Sequence, residues 1–543
     1  METTLYSPFV RASNPALARW QSAVMSVVSK RIQSENPDMI PHEVRTLALQ
    51  DDMIAGTNLH VQRAADKLPS PTHEELEFVS QLHQTGASHP HIHYYASHYF
   101  YRQAVLNVVR NNPEQAGFGF TDLGVNDKPS SFPDTDSNIQ QWILAGAEWE
   151  AYANPYPSPY IDWVNKVPIN VDKNTFKKTF SVYTIPDNAK VAILGDFGTG
   201  LTDGILMLMS LLINQKPDII IHLGDIYYAG MNSEVDAYIN MFTEAFKRTG
   251  KAVPVFSIPG NHEYMSGGEP FFTKVLKMNA ANGFPQYAQA ASYFCLRNQS
   301  GTLQYLAMDT GLNSVDAWVA TQLQGAYSPW LWFSEADWCQ DKLETFKQSG
   351  GKTILLSHHQ LYSVSSEIND GKNVVYVGSA PKSNMDYLNG NLFNVFSPYF
   401  DQVLAWYWGH EHILAIYRNN ELFNANNIPL KKGRLVGNSG YEQWDKDGGY
   451  AVKGDRFHYA SPIVQVGITP VNWTQWITVP NLPPQKVTRT SEFFNHGWAV
   501  LTHQGSNLQA SYWSFPVGSP DITTLPPVGN VPPPTSLNFS ENL

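Results

Sequence analysis

Five short segments constrain this chain more than anything else in it. They are Gly195-Asp196-Phe197-Gly198, Gly224-Asp225-Ile226-Tyr227-Tyr228, Gly260-Asn261-His262-Glu263, Ser357-His358-His359 and Gly409-His410-Glu411-His412. Each follows an apolar run, at 190–194, 218–223, 253–258, 353–356 and 403–408. Short runs rich in Val and Ile and bounded by Gly or Pro predict buried strands. The stretch from Asp203 to Ile213 has the length of a helix. The first two strands are therefore expected as parallel neighbours in a β-α-β unit. Polar segments at such strand ends converge on one crevice, where open α/β sheets place their ligands. Carboxylate, phenol, amide and imidazole groups at that crevice supply enough donors for two metal ions side by side. Two ions about 3.5–4 Å apart can clamp the attacking and leaving oxygens of a phosphoryl group. A single Gly-Asp or Gly-His is weak evidence, whereas five in this order are specific.

The pattern resembles the calcineurin-like metallophosphoesterases, and within them the purple acid phosphatases, over residues 188–445 and again near Gly497–Leu501. Most of that superfamily carries a metal-binding His two residues after the first Asp, where this chain has Gly198. In the purple acid phosphatases a Tyr three residues after the second Asp replaces it, and Tyr228 stands there. The resemblance implies an α/β fold, a four-layer α/β/β/α sandwich. It also implies two metal ions per chain, Fe(III) with Fe(II), Zn or Mn. The first would take Asp196, Asp225, Tyr228 and His412, and the second Asp225 as bridge with Asn261, His358 and His410. Carboxylate and phenolate oxygens suit trivalent iron, and imidazole and amide donors suit the divalent ion. His262, next to a ligand but outside the ligand set, is expected as the general acid, with Glu263 holding its ring. His359 reads either as a contact to phosphate oxygens or as a structural histidine. Tyr227 and Glu411 read as packing residues or supports for the ligands. The reaction implied is hydrolysis of a phosphate monoester by metal-bound hydroxide. Phosphodiester hydrolysis of a nucleotide or lipid headgroup is the alternative, and a non-catalytic scaffold of the same fold is a remoter one. The expected partner is a small-molecule phosphate ester.

The 543 residues exceed one ordinary core. With 15% charged residues and a net charge of −12, broad binding to nucleic acid or anionic membranes is not expected. No run has the length of a transmembrane helix, and no basic-then-apolar start marks a secretory signal, so a cytoplasmic protein is expected. Cys295 and Cys339 are the two cysteines, too few for a disulfide framework. Residues 1–150 are expected as a mainly helical region, with a capping box at Thr72–Glu75. Its histidines at 83, 89, 91, 93 and 98 match no zinc spacing and read as surface and packing residues. Plant-type purple acid phosphatases carry a β-sandwich there, so their substrate and dimer properties do not carry over. Residues 151–185 are expected as linker and lead-in, 186–517 as the catalytic domain and 518–543 as a Pro-rich flexible tail. Within the domain, the Gly/Asn/Ser-rich insertion 364–400, with Tyr376, Tyr387 and Phe393, is read as a long solvated loop or a lid over the crevice.

Overall fold

The computed structural model describes residues 159–198, 202–227, 230, 232–266, 268–314, 329–363, 375–377, 380–382, 388–417, 430–441, 462–477, 485–504, 507–517 and 525–543. The expectations for residues 1–150, including the capping box and the histidine cluster, lie outside them. In chain order the strands are β1 (Val182–Ile185), β2 (Val191–Leu194), β3 (Ile219–His222), β4 (Val255–Ser257), β5 (Phe294–Asn298), β6 (Leu303–Ala307), β7 (Lys352–Ser357), β8 (Val375–Val377) and β9 (Ala380–Lys382). They continue with β10 (Val403–Trp408), β11 (Leu414–Tyr417), β12 (Gly433–Val436), β13 (Pro462–Gln465), β14 (Ile468–Ile477), β15 (Gln485–Phe494), β16 (His496–Gln504), β17 (Asn507–Phe515) and β18 (Thr535–Asn542). The longest described helices are α1 (Thr202–Asn214), α2 (Asn232–Thr249) and α3 (Phe333–Gln348).

Two sheets carry the fold, flanked by helices. One has eight described strands in the order β1-β5-β6-β7-β10-β12-β11-β13, and the other six in the order β18-β17-β16-β2-β3-β4. The expected β-α-β unit is present: β2 pairs parallel with β3, and α1 connects them. Every residue of β2, β3 and β4 is buried, which is why these strands read as continuous apolar runs rather than alternating ones.

As the expected α/β/β/α sandwich requires, the ligand-bearing loops come from two sheets, not from the one open sheet that the strand pattern alone would give. β2, β3 and β4 belong to the six-stranded sheet, while β7 and β10 belong to the eight-stranded one. The crevice is therefore formed between two sheets. Parallel pairing of β7 with β10 brings the Ser357-His358-His359 and Gly409–His412 loops out at the same end.

The C-terminal segment also differs from expectation. Instead of a flexible tail, its last residues form β18, antiparallel to β17. Prolines at 526, 527 and 532–534 shape the approach but leave 535–542 free to pair. β1, ahead of position 186, is likewise an edge of the eight-stranded sheet, so the folded unit exceeds the expected 186–517 at both ends. The insertion 364–400 is only partly among the described residues. Its end is a helix, Gly390–Phe396, capped by Asn389 and burying Leu392, Phe393 and Phe396. Phe393 thus belongs to the core and does not overhang the crevice. Cys295 and Cys339 are buried, free thiols.

β18 is pinned across the sandwich. Arg434 of β12 donates through Nε and Nη2 to the two carboxylate oxygens of Glu541 in β18, at 2.7 Å each. The Tyr512 hydroxyl donates to the same carboxylate at 2.7 Å. Burial would raise the pKa of Glu541, but Arg434, Tyr512 and Lys432 outweigh it and hold the carboxyl below its ordinary value. Glu541→Ala should therefore destabilise the fold by about 3–5 kcal/mol, because it strands a buried guanidinium. A carboxyl depressed in the folded state gives stability that is present above its unfolded pKa and lost as pH falls through the folded value. Denaturant melts of wild type and Glu541→Gln should converge as pH falls from the ordinary carboxylate range through the lowered folded-state value. A constant gap down to the acid limit would refute the assignment.

Candidate metal centre

The loops that leave the strands are strained in the same way at three positions. Asp196, Asp225 and His410 have φ of 56°, 71° and 70°, a left-handed region that non-glycine residues rarely occupy. Such strain persists only where the surroundings over-determine it, and it concentrates at functional sites. Here hydrogen bonds do so. Asp196 N–H donates to Gly224 O at 3.1 Å, Asp225 N–H to Glu263 Oε2 at 3.2 Å, and His410 N–H to Asp196 Oδ2 at 2.9 Å.

Gly198 explains the missing first-motif histidine sterically. It forms a parallel bridge with Ile226, and a Cβ there would stand 2.6 Å from the Ile226 Cα. The close approach carries the segment after Asp225 against the first loop.

Two clusters result, joined by Asp225. In the first, one ligand atom each from Asp196, Asp225 and His412 lies within 4.8 Å of the others. The Tyr227 hydroxyl sits among them, 2.8 Å from Asp196 Oδ1, 3.1 Å from Asp225 Oδ2 and 2.9 Å from His412 Nε2. In the second, His358 Nε2 lies 3.2 Å from Asn261 Oδ1, 3.2 Å from His410 Nδ1 and 3.3 Å from Asp225 Oδ2. His358 Nδ1 faces Leu223 O at 2.9 Å. Donation of its N–H to that carbonyl leaves the Nε2 lone pair aimed at the cluster, the arrangement of a metal-ligating histidine. Ligand atoms about 2.0–2.2 Å from one ion stand about 3 Å from one another, so both clusters have the spacing of a coordination shell.

The electrostatics point the same way. Burial, then the neighbouring Asp225, raises Asp196 well above the ordinary carboxylate range. Burial would raise Asp225 too, but the His262 and His358 imidazoles beside it hold it low. Tyr227 is pushed up by burial and by both carboxylates. No lysine or arginine pairs with Asp196 or Asp225 among the described residues. Two buried carboxylates beside a phenol and imidazoles fit a pair of cations.

Of the seven expected metal ligands, Asp196, Asp225, Asn261, His358, His410 and His412 converge in these clusters, and Tyr228 lies outside the described residues. His262 is buried, its Nε2 3.7 Å from Asp225 Oδ2 and its ring centroid 4.7 Å from that of Tyr227. Glu263 does not hold the His262 ring. Its Oε2 accepts from the backbone of Asp225 at 3.2 Å and Gly260 at 2.9 Å, so it ties two ligand loops together. Glu411 is buried and accepts from the Ser363 hydroxyl. His359 is buried against His358 and His410, with centroids 4.7 and 4.4 Å away. Burial, then those two imidazoles, lowers its pKa well below the ordinary value.

The sequence reading does not reach two further loops. After β12, Tyr441 lays its ring 3.8 Å from that of His412 and 4.7 Å from Tyr227, and its N–H donates to Asp196 O at 3.0 Å. After β6, Thr310 Oγ1 lies 3.0 Å from His359 Nδ1. Both loops carry the signal of four of the other five, a strand followed by a short polar, glycine-containing segment: Gly437-Asn438-Ser439-Gly440 and Asp309-Thr310-Gly311.

Residues 189–414 match the family model described as calcineurin-like phosphoesterase, and this stretch is a domain of that kind. Among solved structures the chain is similar to GAP50, the anchor in the inner membrane complex of Plasmodium, with 10% identity, 66% of this chain and 88% of that one covered, and a TM-score of 0.35. It is also similar to a dimetal phosphatase from Danio rerio, with 9% identity, 65% and 99% covered, and a TM-score of 0.34. No curated protein matches the chain.

Gly260 offers a direct test of the clustering. A Cβ there would overlap Asp225 Oδ1 and stand 2.8 Å from His358 Cε1. Gly260→Ala should displace the shared carboxylate and lower the metal content of the purified protein, measured by elemental analysis. Gly529→Ala, where a Cβ meets nothing within 4 Å, is the control. Equal metal content in both would contradict the placement of Asp225.

Proposed function

We propose that this protein is a dinuclear-metal phosphoesterase acting first on phosphate monoesters. The observation that carries the reading is the Asp225 carboxylate, which stands within 3.3 Å of both the Tyr227 hydroxyl and His358 Nε2 and so joins two donor clusters. Asp196, Asp225, His412 and a phenol oxygen would hold one ion. Asp225, Asn261, His358 and His410 would hold the other. When bound, such a pair lowers the pKa of a coordinated water and neutralises a phosphate dianion. The harder first donor set favours Fe(III), and the imidazole-rich second set favours Fe(II), Zn or Mn.

The chain's own groups then have separate tasks. His262, beside ligand Asn261 and facing the cluster, donates a proton to the leaving-group oxygen. Glu263 is a positioning residue, fixing the Asp225 and Gly260 backbones. Tyr441 supports His412 through ring contact. The resemblance assigns the phenolate to Tyr228, while the position of its hydroxyl favours Tyr227.

Protein from iron-replete growth should contain about two metal ions per chain and show a visible phenolate-to-Fe(III) absorption band. It should hydrolyse p-nitrophenyl phosphate faster than bis-p-nitrophenyl phosphate. The reverse preference would install the phosphodiesterase reading, and metal-loaded protein inert on both would install the scaffold. Of Tyr227→Phe and Tyr228→Phe, the variant that loses the band marks the ligand.

His262→Ala should keep both ions and lose turnover by about 10²–10⁴-fold. The loss should be larger on alkyl phosphates than on p-nitrophenyl phosphate, because a good leaving group needs little protonation. Equal losses on both would assign His262 to positioning phosphate or water.

A further inference from the structure

We propose that His359 is an additional protein ligand at the second metal position, oriented by Thr310. The proposal rests on the two-metal reading above and adds a fifth donor to that site.

His359 has two ring nitrogens with different surroundings. Nδ1 lies 3.0 Å from the Thr310 hydroxyl. Nε2 is buried and has no hydrogen-bond partner. A buried, unpartnered polar atom in a protein interior calls for a specific reason. The His359 ring leans on His410 with centroids 4.4 Å apart. One ring nitrogen each from His358, His359 and His410 lies within 4.8 Å of the other two. His359 thus belongs to a three-imidazole group that also faces Asn261 and Asp225 through His358.

Thr310 sets which nitrogen is free. Its Oγ1 accepts the backbone N–H of His359 at 3.0 Å. A hydroxyl oxygen has two lone pairs, so it can also accept N–H from Nδ1. That tautomer leaves the Nε2 lone pair for a cation, and metal-ligating histidines commonly donate their other N–H in this way.

Thr310 is itself held firmly. Asp309 Oδ1 accepts from the backbone of Gly311 at 3.1 Å and Leu312 at 3.0 Å. Glu335 Oε1 accepts from Asp309 N–H at 2.7 Å. The Tyr264 hydroxyl, one residue beyond Glu263, donates to Asp309 Oδ2. Gly311 is packed so closely on Gly260 that a Cβ would overlap the Gly260 carbonyl. The loop that aims His359 is therefore locked to the loop that carries Asn261.

The test is zinc binding to chelator-treated full-length protein, followed by competition with a chromophoric chelator. Wild type should take two ions. His359→Ala and His359→Gln should bind the tighter ion as wild type does and weaken the other by at least about 10–100-fold. Thr310→Val should weaken the same ion, and Thr310→Ser should restore it. Circular dichroism of each variant checks that the fold is kept, and the conservative Gln and Ser variants serve if Ala or Val does not fold. A folded His359→Gln protein with both affinities unchanged overturns the assignment. If that protein has instead lost affinity for inorganic phosphate, Nε2 carries the proton and faces the anion. Identical Val and Ser variants overturn the role of Thr310. Wild type that takes fewer than two ions overturns the two-metal reading itself, and with it this ligand.

Discussion

The architecture of the site depends on one carboxylate held where a carboxylate alone is unstable. Asp225 is fully buried, at a φ that strains its backbone, beside a second buried aspartate. Its N–H is fixed by Glu263, its Oδ1 accepts from His262 N–H at 3.2 Å, and its Oδ2 meets the Tyr227 hydroxyl. Coulomb repulsion between Asp196 and Asp225 and the loss of solvation both oppose this arrangement. What compensates is imidazole on one side and, in the functional reading, cations on the other. Partly satisfied buried networks are costly, so a fold that preserves this one points to charge that the protein is built to bind.

That carboxylate can be reached from two directions because the sandwich has two sheets. The six-stranded sheet delivers Asp196, Asp225 and Asn261, and the eight-stranded sheet delivers His358, His359, His410 and His412. Any shift of one sheet against the other would separate the anionic donors from the imidazoles. The sheets are tied by Arg434 and Glu541, and by the Tyr407 and Tyr512 hydroxyls at 3.1 Å. They are also tied by Ser439, whose N–H donates to Gly195 O at 2.8 Å and whose Oγ accepts from Gly195 N–H at 3.1 Å. Packing outside the donor set therefore sets the geometry of the centre.

Much of this was legible in the sequence because fully buried strands advertise themselves. Val191–Leu194 and Ile219–His222 are buried on both faces and almost wholly apolar, and a glycine soon after each permits the turn that presents an aspartate to the site. The two-sheet sandwich followed from the family resemblance, but which strand joins which sheet was not legible, since a run such as Thr353–Leu356 looks the same in either. β18 was hidden because its burial alternates between exposed and half-buried, after a proline-rich approach. The loop carrying Tyr441 was hidden because Arg434 interrupts the apolar run before it, and a buried arginine makes sense only once Glu541 is seen beside it. Glu263 was assigned to the wrong neighbour for a related reason. Adjacency in sequence suggested His262, but the tight turn after Asn261 points the carboxylate back at the backbone of two loops.

The pattern of burial also limits how a substrate can arrive. Asp196, Asp225, His358 and His359 are at most 1% exposed, and Asn261 is 2% exposed. The His412 side chain is 12% exposed and that of His262 is 8%, and His410 is half-buried. Among the described residues the centre therefore opens along the edge formed by His262, His410 and His412. An anion entering there meets imidazoles before carboxylates, which lessens the repulsion that a net charge of −12 would otherwise present. His262 lies on this open edge, while His359, 1% exposed, stays on the closed side of the site. In the functional reading proposed above, the same asymmetry separates the two histidines chemically: the one on the open edge would exchange protons with a departing group, and the one sealed behind would hold what does not leave.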